Sequence, residues 1–193
     1  EADAIEHEGQ IVATIVSPDR YGEVISAIDA GGTTSDQRRR FAREAFFRTA
    51  QYDAAIVNWF ERDGADRLVL ALEQRATLRY GENPHQPAGL YATADTDGWW
   101  SGSRQVQGKE MSFNNWADAD AAWRLASDLP EGAVAILKHM NACGVATGST
   151  SADAFAKAWA CDPLSAFGGV VAVHGELDAD TARAIREYFV EIV

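Results

Sequence analysis

The stretch that most restricts this chain's fold is Ala133 to Leu137, AVAIL. Five consecutive apolar residues show no alternation and are too few for a buried helix. They read as a strand covered on both faces. Helical periodicity flanks the run on either side. Trp116 to Leu129 puts Ala119, Ala122, Trp123 and Ala126 on one face, and Asp153 to Ala160 forms a second helix. Gly168 to Val173 is another short apolar strand, followed by a helical stretch from Asp178 to Val193. Short apolar strands set between helices predict the α/β class.

The N-terminal part follows the same alternation. Gln10 to Ser17 (QIVATIVS) is apolar and β-branched and stops at Ser17-Pro18-Asp19, which predicts a strand and a turn. Tyr21 to Ala30 reads as a short helix closed by Gly31-Gly32. Thr33 to Asp36 offers N-caps for a helix over Gln37 to Phe60, broken at Gly64. The composition shifts between Ala71 and Thr77. Arg79 to Pro87 is a polar loop, Leu90 to Ala92 a strand, and Asp95 to Ser103 a hairpin or surface loop. The last helix has no tail after it and the first strand nothing before it to pair with. Both ends therefore read as those of a piece of a longer protein.

Composition removes several functional classes. Acidic residues number 29 against 17 basic ones, a net charge of −12. That balance disfavours broad binding to nucleic acid or anionic membrane, which needs basic surface. It leaves room for a small anion held by one Arg or Lys and a few backbone N–H groups. No apolar run approaches the roughly 20 residues of a membrane span. Residues 1–10, EADAIEHEGQ, lack the layout of a signal peptide. The two cysteines, Cys143 and Cys161, make no disulfide framework, so a reducing cytoplasm is the expected compartment.

Four constellations carry chemistry. Lys138-His139 ends the AVAIL strand, and ligands of open α/β sheets bind beyond strand carboxyl ends. The pair supplies a cation and a side chain suited to proton transfer near neutral pH. Asn141-x-x-Gly144 follows and reads as a turn whose backbone N–H groups face an anion. In the second constellation, Arg79-Tyr80-Gly81-Glu82-Asn83-Pro84-His85-Gln86, the Arg suits bidentate phosphate binding. Gly81 there permits close backbone approach, and Tyr80 offers a stacking face. In the third, Ser112 to Asp118, Asn115 presents both donors and an acceptor to a carboxamide or base edge, or acts in a helix cap. In the fourth, Asp162 to Gly169, Gly168-Gly169 allows tight approach and Phe167 is placed to cover a purine. Each has a plain structural alternative: a surface pair, a polar turn, a cap, a steric turn. His139, Cys143 and Cys161 do not form a Cys-x-x-Cys or deaminase zinc pattern, so no metal is expected.

Taken together, LRYGENPHQ (Leu78 to Gln86), SFNNWADADAAW (Ser112 to Trp123), LKHMNACGVATG (Leu137 to Gly148) and DPLSAFGGVVA (Asp162 to Ala172) resemble, in order and spacing, the bifunctional purine-biosynthesis family that joins AICAR transformylase to IMP cyclohydrolase. The resemblance runs from about Ser17 to the C-terminus. It implies that residues 1–71 are the end of a parallel α/β cyclohydrolase domain. It also implies that residues 72–193 are the first of two cytidine-deaminase-like transformylase subdomains, without zinc. Bacterial members usually read Lys-His-Ala-Asn-Pro-Cys-Gly where this chain has Met140 in place of Ala and Ala142 in place of Pro.

The activity the resemblance implies is formyl transfer from 10-formyltetrahydrofolate, a co-substrate, to the 5-amino group of AICAR, in a protein that also closes FAICAR to IMP. By carry-over, His139 is the base and Lys138 steadies the oxyanion. Arg79, Tyr80, Asn115, Asn141, Phe167 and Gly168 bind substrate, with His85 close by. The expected partners are AICAR, the folate and a second copy in a homodimer, for which Trp99, Trp100 and Trp116 are candidate surface. No residue here is assigned to the cyclohydrolase reaction. The competing readings are a non-catalytic nucleotide-binding domain and a zinc-dependent deaminase-like enzyme.

Overall fold

The computed structural model describes residues 5–7, 10–62, 64, 66–93, 98–100 and 102–193. The chain forms two compact units, Glu1–Glu73 with Ala92–Thr96, and Gln74–Tyr91 with Asp97–Val193.

In the first unit, β1 (Ile5–His7) pairs antiparallel with β2 (Gln10–Val12), Ile5 opposite Val12. The strand expected through Ser17 stops at Val12, and residues 13–17 have no regular structure. A 3-10 turn, Pro18–Arg20, leads into α1 (Tyr21–Asp29). Gly31 and Gly32 then take φ of 97° and 124°, where a side chain would be strained. The long helix α2 (Ser35–Phe60) starts at a capping box. Thr34 Oγ1 accepts from the Gln37 amide at 3.2 Å, and Gln37 Oε1 accepts from the Thr34 amide at 2.8 Å. It buries Phe41, Ala42, Ala45 and Ala54, and Arg20 pairs with Glu44 at 2.8 Å.

In the second unit, β3 (Glu73–Leu78) pairs with β4 (Ala88–Ala92), flanking the polar loop. The main sheet has order β6-β5-β7, with β5 Val134–Lys138, β6 Asn141–Ala146 and β7 Val170–Val173. Side chains of β5 alternate between two cores. Val134 and Ile136 pack with Phe155, Ala158 and Trp159 of α4 (Ser151–Cys161), and with Ile185 of α6 (Ala179–Arg186). Ala135 and Leu137 pack with Ala122 and Ala126 of α3 (Phe113–Ser127). Helices on both faces explain why AVAIL is apolar throughout.

The class is mixed α/β, as expected, but both strand neighbours of β5 run antiparallel to it. For β6 the cause lies in the connection: β5 and β6 are joined by two residues, too few for a parallel crossover. Two further expectations are corrected. Asn141 to Gly144 is strand, not a turn opening a loop. The last helix ends at Arg186, because the following segment joins the sheet edge. There the Val171 amide donates to Ile192 O at 2.9 Å and the Glu191 amide to Gly169 O at 2.9 Å.

Part of the expected hairpin over Asp95 to Ser103 lies outside the described residues. Within it, Trp99 stacks 5.5 Å from Trp123 and 5.8 Å from Trp116, and its indole N–H donates to Asp120 Oδ1 at 2.9 Å. Trp99 therefore packs on Trp116 and Trp123 of α3 within its own unit.

Candidate active site

The site is built around a turn. His139 and Met140 alone connect β5 to β6, with φ of 53° and 60°. Two successive left-handed residues match a type I′ turn, whose twist suits a two-residue hairpin but which Asn-Gly normally fills. For residues with a Cβ this conformation costs about 1–2 kcal/mol each. Two contacts hold it. Asn141 Nδ2 donates to His139 O at 2.7 Å, and the Met140 amide donates to Asp118 Oδ1 on α3 at 2.7 Å. The turn leaves His139 exposed at the rim of an open depression of about 460 Å³, lined by Lys138, His139, Asn141, Cys143, Asp162 and Ser165 among others.

Lys138, the last residue of β5, donates from Nζ to Phe167 O at 2.8 Å. Its cation is thus anchored at the end of α5 (Pro163–Ala166). Asp162 caps that short helix, and its carboxyl is held below the usual range by the Ser165 hydroxyl at 2.6 Å and the Ser165 amide at 3.1 Å. Burial pushes the Cys143 thiol up; Asp162 adds to this and Lys138 opposes it. A thiol so shifted is a poor nucleophile at neutral pH. Lys138 and His139 bring an ammonium and an imidazole to the same depression.

Phe167 is 56 % exposed, and its ring lies 5.3 Å from that of Phe189. Gly168, at φ 71°, donates its amide to Phe189 O at 2.8 Å.

A second group forms where the polar loop meets the start of α3. The Arg79 amide donates to Met111 O at 3.2 Å and the Phe113 amide to Tyr80 O at 3.0 Å. The Arg79 guanidinium lies 4.8 Å from the centre of the Tyr80 ring, and its Nη2 donates to Tyr80 Oη at 3.2 Å and to Asn115 Oδ1 at 3.5 Å. Asn115 also closes the α3 capping box with Ser112 and donates from Nδ2 to Glu191 Oε2 at 3.0 Å. Asn115 therefore fills the cap role, its Oδ1 shared between Ser112 and Arg79 and its Nδ2 given to Glu191. His85 is exposed within the loop.

The candidate residues therefore fall into two groups, Lys138, His139 and Asn141 with Phe167 and Gly168, and Arg79 with Tyr80 and Asn115. Helix α3 touches both. Asn115 and Asp118, one turn apart on one face, reach Arg79 and the His139-Met140 turn respectively.

With this geometry in view, the sequence matches a family model described as the AICARFT/IMPCHase bienzyme over residues 7–193. The chain belongs to that family. It is similar to the bifunctional purine biosynthesis protein PurH of Parvibaculum lavamentivorans, 46 % identical over 190 residues, covering 94 % of this chain and 35 % of that protein. The PurH of Rhodospirillum rubrum is 44 % identical over 198 residues, covering 100 % and 37 %. The PurH of Desulfitobacterium hafniense is 42 % identical over 195 residues, covering 94 % and 38 %. The chain thus spans little more than a third of the length of these bienzyme relatives.

Sequence reasoning missed Asp118 and Glu191 as members of the site of this bienzyme-family chain. Asp118 carried a usable signal, since it lies three residues after Asn115 on the same helical face. Glu191 carried none, because its position depends on the last segment leaving the helix. Among the described residues, no group of three or more His, Cys, Asp or Glu gathers as a metal-binding set, and no helix is long and apolar enough to cross a membrane.

Proposed function

We propose that the second unit carries part of a formyl-transfer site, in which the 5-amino group of AICAR attacks the formyl carbon of 10-formyltetrahydrofolate. The observation that carries this reading is the pairing of Lys138 and His139 at one strand end, the lysine anchored on Phe167 O and the histidine set on a left-handed turn. The membership of a purine-biosynthesis family supports the choice of substrate.

The AICAR amine is a weak nucleophile because its lone pair delocalises toward the carboxamide. His139 takes the proton as the C–N bond forms. Lys138 faces the negative charge that develops on the formyl oxygen; as the intermediate collapses the formyl C–N10 bond breaks, and the proton taken by His139 ends on N10 of the departing tetrahydrofolate. Arg79 and Tyr80 bind the nucleotide, Asn115 and Asn141 its polar groups, and Phe167 with Gly168 lines the base. In this reading residues 72–193 are the first transformylase subdomain and residues 1–71 the end of a cyclohydrolase domain. The whole protein works as a cytoplasmic homodimer.

The test is formyl transfer by the full-length protein carrying His139→Ala or Lys138→Ala. Loss of the base lowers turnover by about 10²–10⁴-fold. Loss of the cation lowers it by about 10²–10³-fold. Near-normal turnover by either variant overturns the reading.

A further inference from the structure

We infer that Asp118 is a positioning residue for His139, acting through the Met140 peptide. The inference rests on the formyl-transfer reading of Lys138 and His139.

In a two-residue hairpin, the amide of the second turn residue points away from the ladder and has no partner in it. Here that amide, Met140 N–H, donates at 2.7 Å to Asp118 Oδ1. The acceptor lies on a different element, α3, and is 22 residues away in sequence. The contact therefore does more than cap the hairpin locally. It pins the turn to the helix whose preceding turn holds Asn115 beside Arg79. His139 and the Arg79-Asn115 group are thereby fixed relative to one helix, at Asp118 and Asn115.

The turn needs such a clamp. His139 and Met140 both carry a Cβ at positive φ, and Met is not among the residues enriched there. Asn141 Nδ2 holds the His139 carbonyl from within the hairpin. Met140 itself is 61 % exposed, so packing of its side chain contributes little. Without an acceptor for its amide, Met140 has reason to leave the left-handed region, and the imidazole would move with it.

The experiment uses the full-length protein and three variants. Asp118→Ala removes the acceptor. Asp118→Asn keeps a side-chain oxygen that accepts from the same amide but removes the charge. Met140→Gly keeps the amide and removes the penalty for positive φ. We expect Asp118→Ala to lower kcat about tenfold or more, with the KM for AICAR changed less than about threefold. Asp118→Asn retains kcat within about threefold. Combining Asp118→Ala with Met140→Gly recovers most of the loss, because a glycine takes the left-handed turn without strain. Hydrogen exchange at the Met140 amide, followed by NMR, gives a readout independent of turnover: it is protected in the parent and Asp118→Asn proteins and fast in Asp118→Ala.

An unchanged kcat in Asp118→Ala overturns the inference. So does equal damage by Asn and Ala, which assigns the effect to charge, or additivity with Met140→Gly. If Asp118→Ala does not fold, failure of Met140→Gly to restore folding in the double variant counts against it. His139→Ala in the same assay separates the two levels. If it retains turnover, the formyl-transfer reading fails; if it is inactive while Asp118→Ala is normal, only the positioning role fails.

Discussion

Replacing Gly144 with Ala tests whether this glycine serves packing or ligand binding. Gly144 is buried on β6 opposite Ile136. A Cβ built there meets the Ala158 carbonyl oxygen at 1.9 Å, the Ala158 carbonyl carbon at 2.8 Å and Cys161 Cβ at 3.1 Å. The first two are backbone atoms of α4, so no rotamer change relieves the clash. Helix and sheet must separate, and α4 supplies Phe155, Ala158 and Trp159 to the core on that face. Overpacking of a core costs typically about 1–3 kcal/mol, and a rigid backbone obstacle places Gly144→Ala at about 3 kcal/mol or above. For a domain of this size, that corresponds to a fall in Tm of roughly 10–20 °C.

The assay is urea unfolding followed by circular dichroism, with thermal melting beside it. A stability within about 0.5 kcal/mol of the parent, the range of innocuous surface changes, refutes the packing argument. The alternative has a different signature. Were Gly144 needed for backbone approach to an anion, Gly144→Ala would raise KM for the nucleotide and leave the unfolding midpoint in place.

Two further predictions follow from the caps. Ser112 is 1 % exposed, and its Oγ both accepts from the Asn115 amide at 3.3 Å and donates to Asn115 Oδ1 at 3.0 Å. Ser112→Ala removes an N-cap worth about 1 kcal/mol and loosens the Asn115 side chain that contacts Arg79, so unfolding shifts by that amount and the KM for AICAR rises. Asp178 caps α6 and its carboxyl is held below the usual range, chiefly by the Thr181 amide at 2.7 Å; the Ser165 hydroxyl does the same for Asp162. A depressed folded pKa gives stability that is complete above the unfolded value of about 3.9 and is lost as pH falls through the folded value. Asp178→Asn and Asp162→Asn, which still cap but do not titrate, therefore flatten the acid side of a plot of urea midpoint against pH and leave the neutral side nearly unchanged. An acid limb as steep as the parent's in both variants counts against this assignment.

How far the sequence revealed this structure depends on whether local pattern or tertiary pairing decides each element. The AVAIL run, the Thr34 and Ser112 caps and the period of α2, α3 and α4 are local, and those elements form close to where they are expected. The strand β3 was not visible because Glu73 to Leu78 buries only Leu78 and shows no alternation. Asn141-Ala142-Cys143-Gly144 looks like a turn because Asn and Gly are turn formers. The real turn lies two residues earlier, in His139-Met140, where Met has no left-handed preference and the signal rests on His alone. What forces it there is tertiary: β6 must pair with β5, Gly144 must lie against α4, and Asp118 must meet Met140. In the same way, the segment after Arg186 is helical by period but extends along Gly169 to Val171, whose backbone groups it satisfies. The site residues were legible as types, Lys, His, Arg and Asn, while the contacts that place them were not.

The tie between Lys138 and Phe167 bears on what the lysine can do. A lysine ammonium has three N–H donors, and the Phe167 carbonyl takes one at 2.8 Å. Two remain to be directed at an oxyanion. An untethered lysine loses rotamer freedom worth up to about 2 kcal/mol when it settles on a transition state. One already anchored has met part of that cost in folding, so the contact favours a role at the reacting centre. It also links the Phe167 loop to the cation. In the proposed site, a shift of Phe167 to accommodate a purine would move the carbonyl that steers Nζ and so couple nucleotide binding to oxyanion stabilisation. His139 has no such tie from its imidazole to Phe167 among the described residues. Its position is set instead by the backbone of the turn and by α3. The two groups of the pair are thus held by different elements, the lysine by the end of α5 and the histidine by α3, although they are adjacent in sequence.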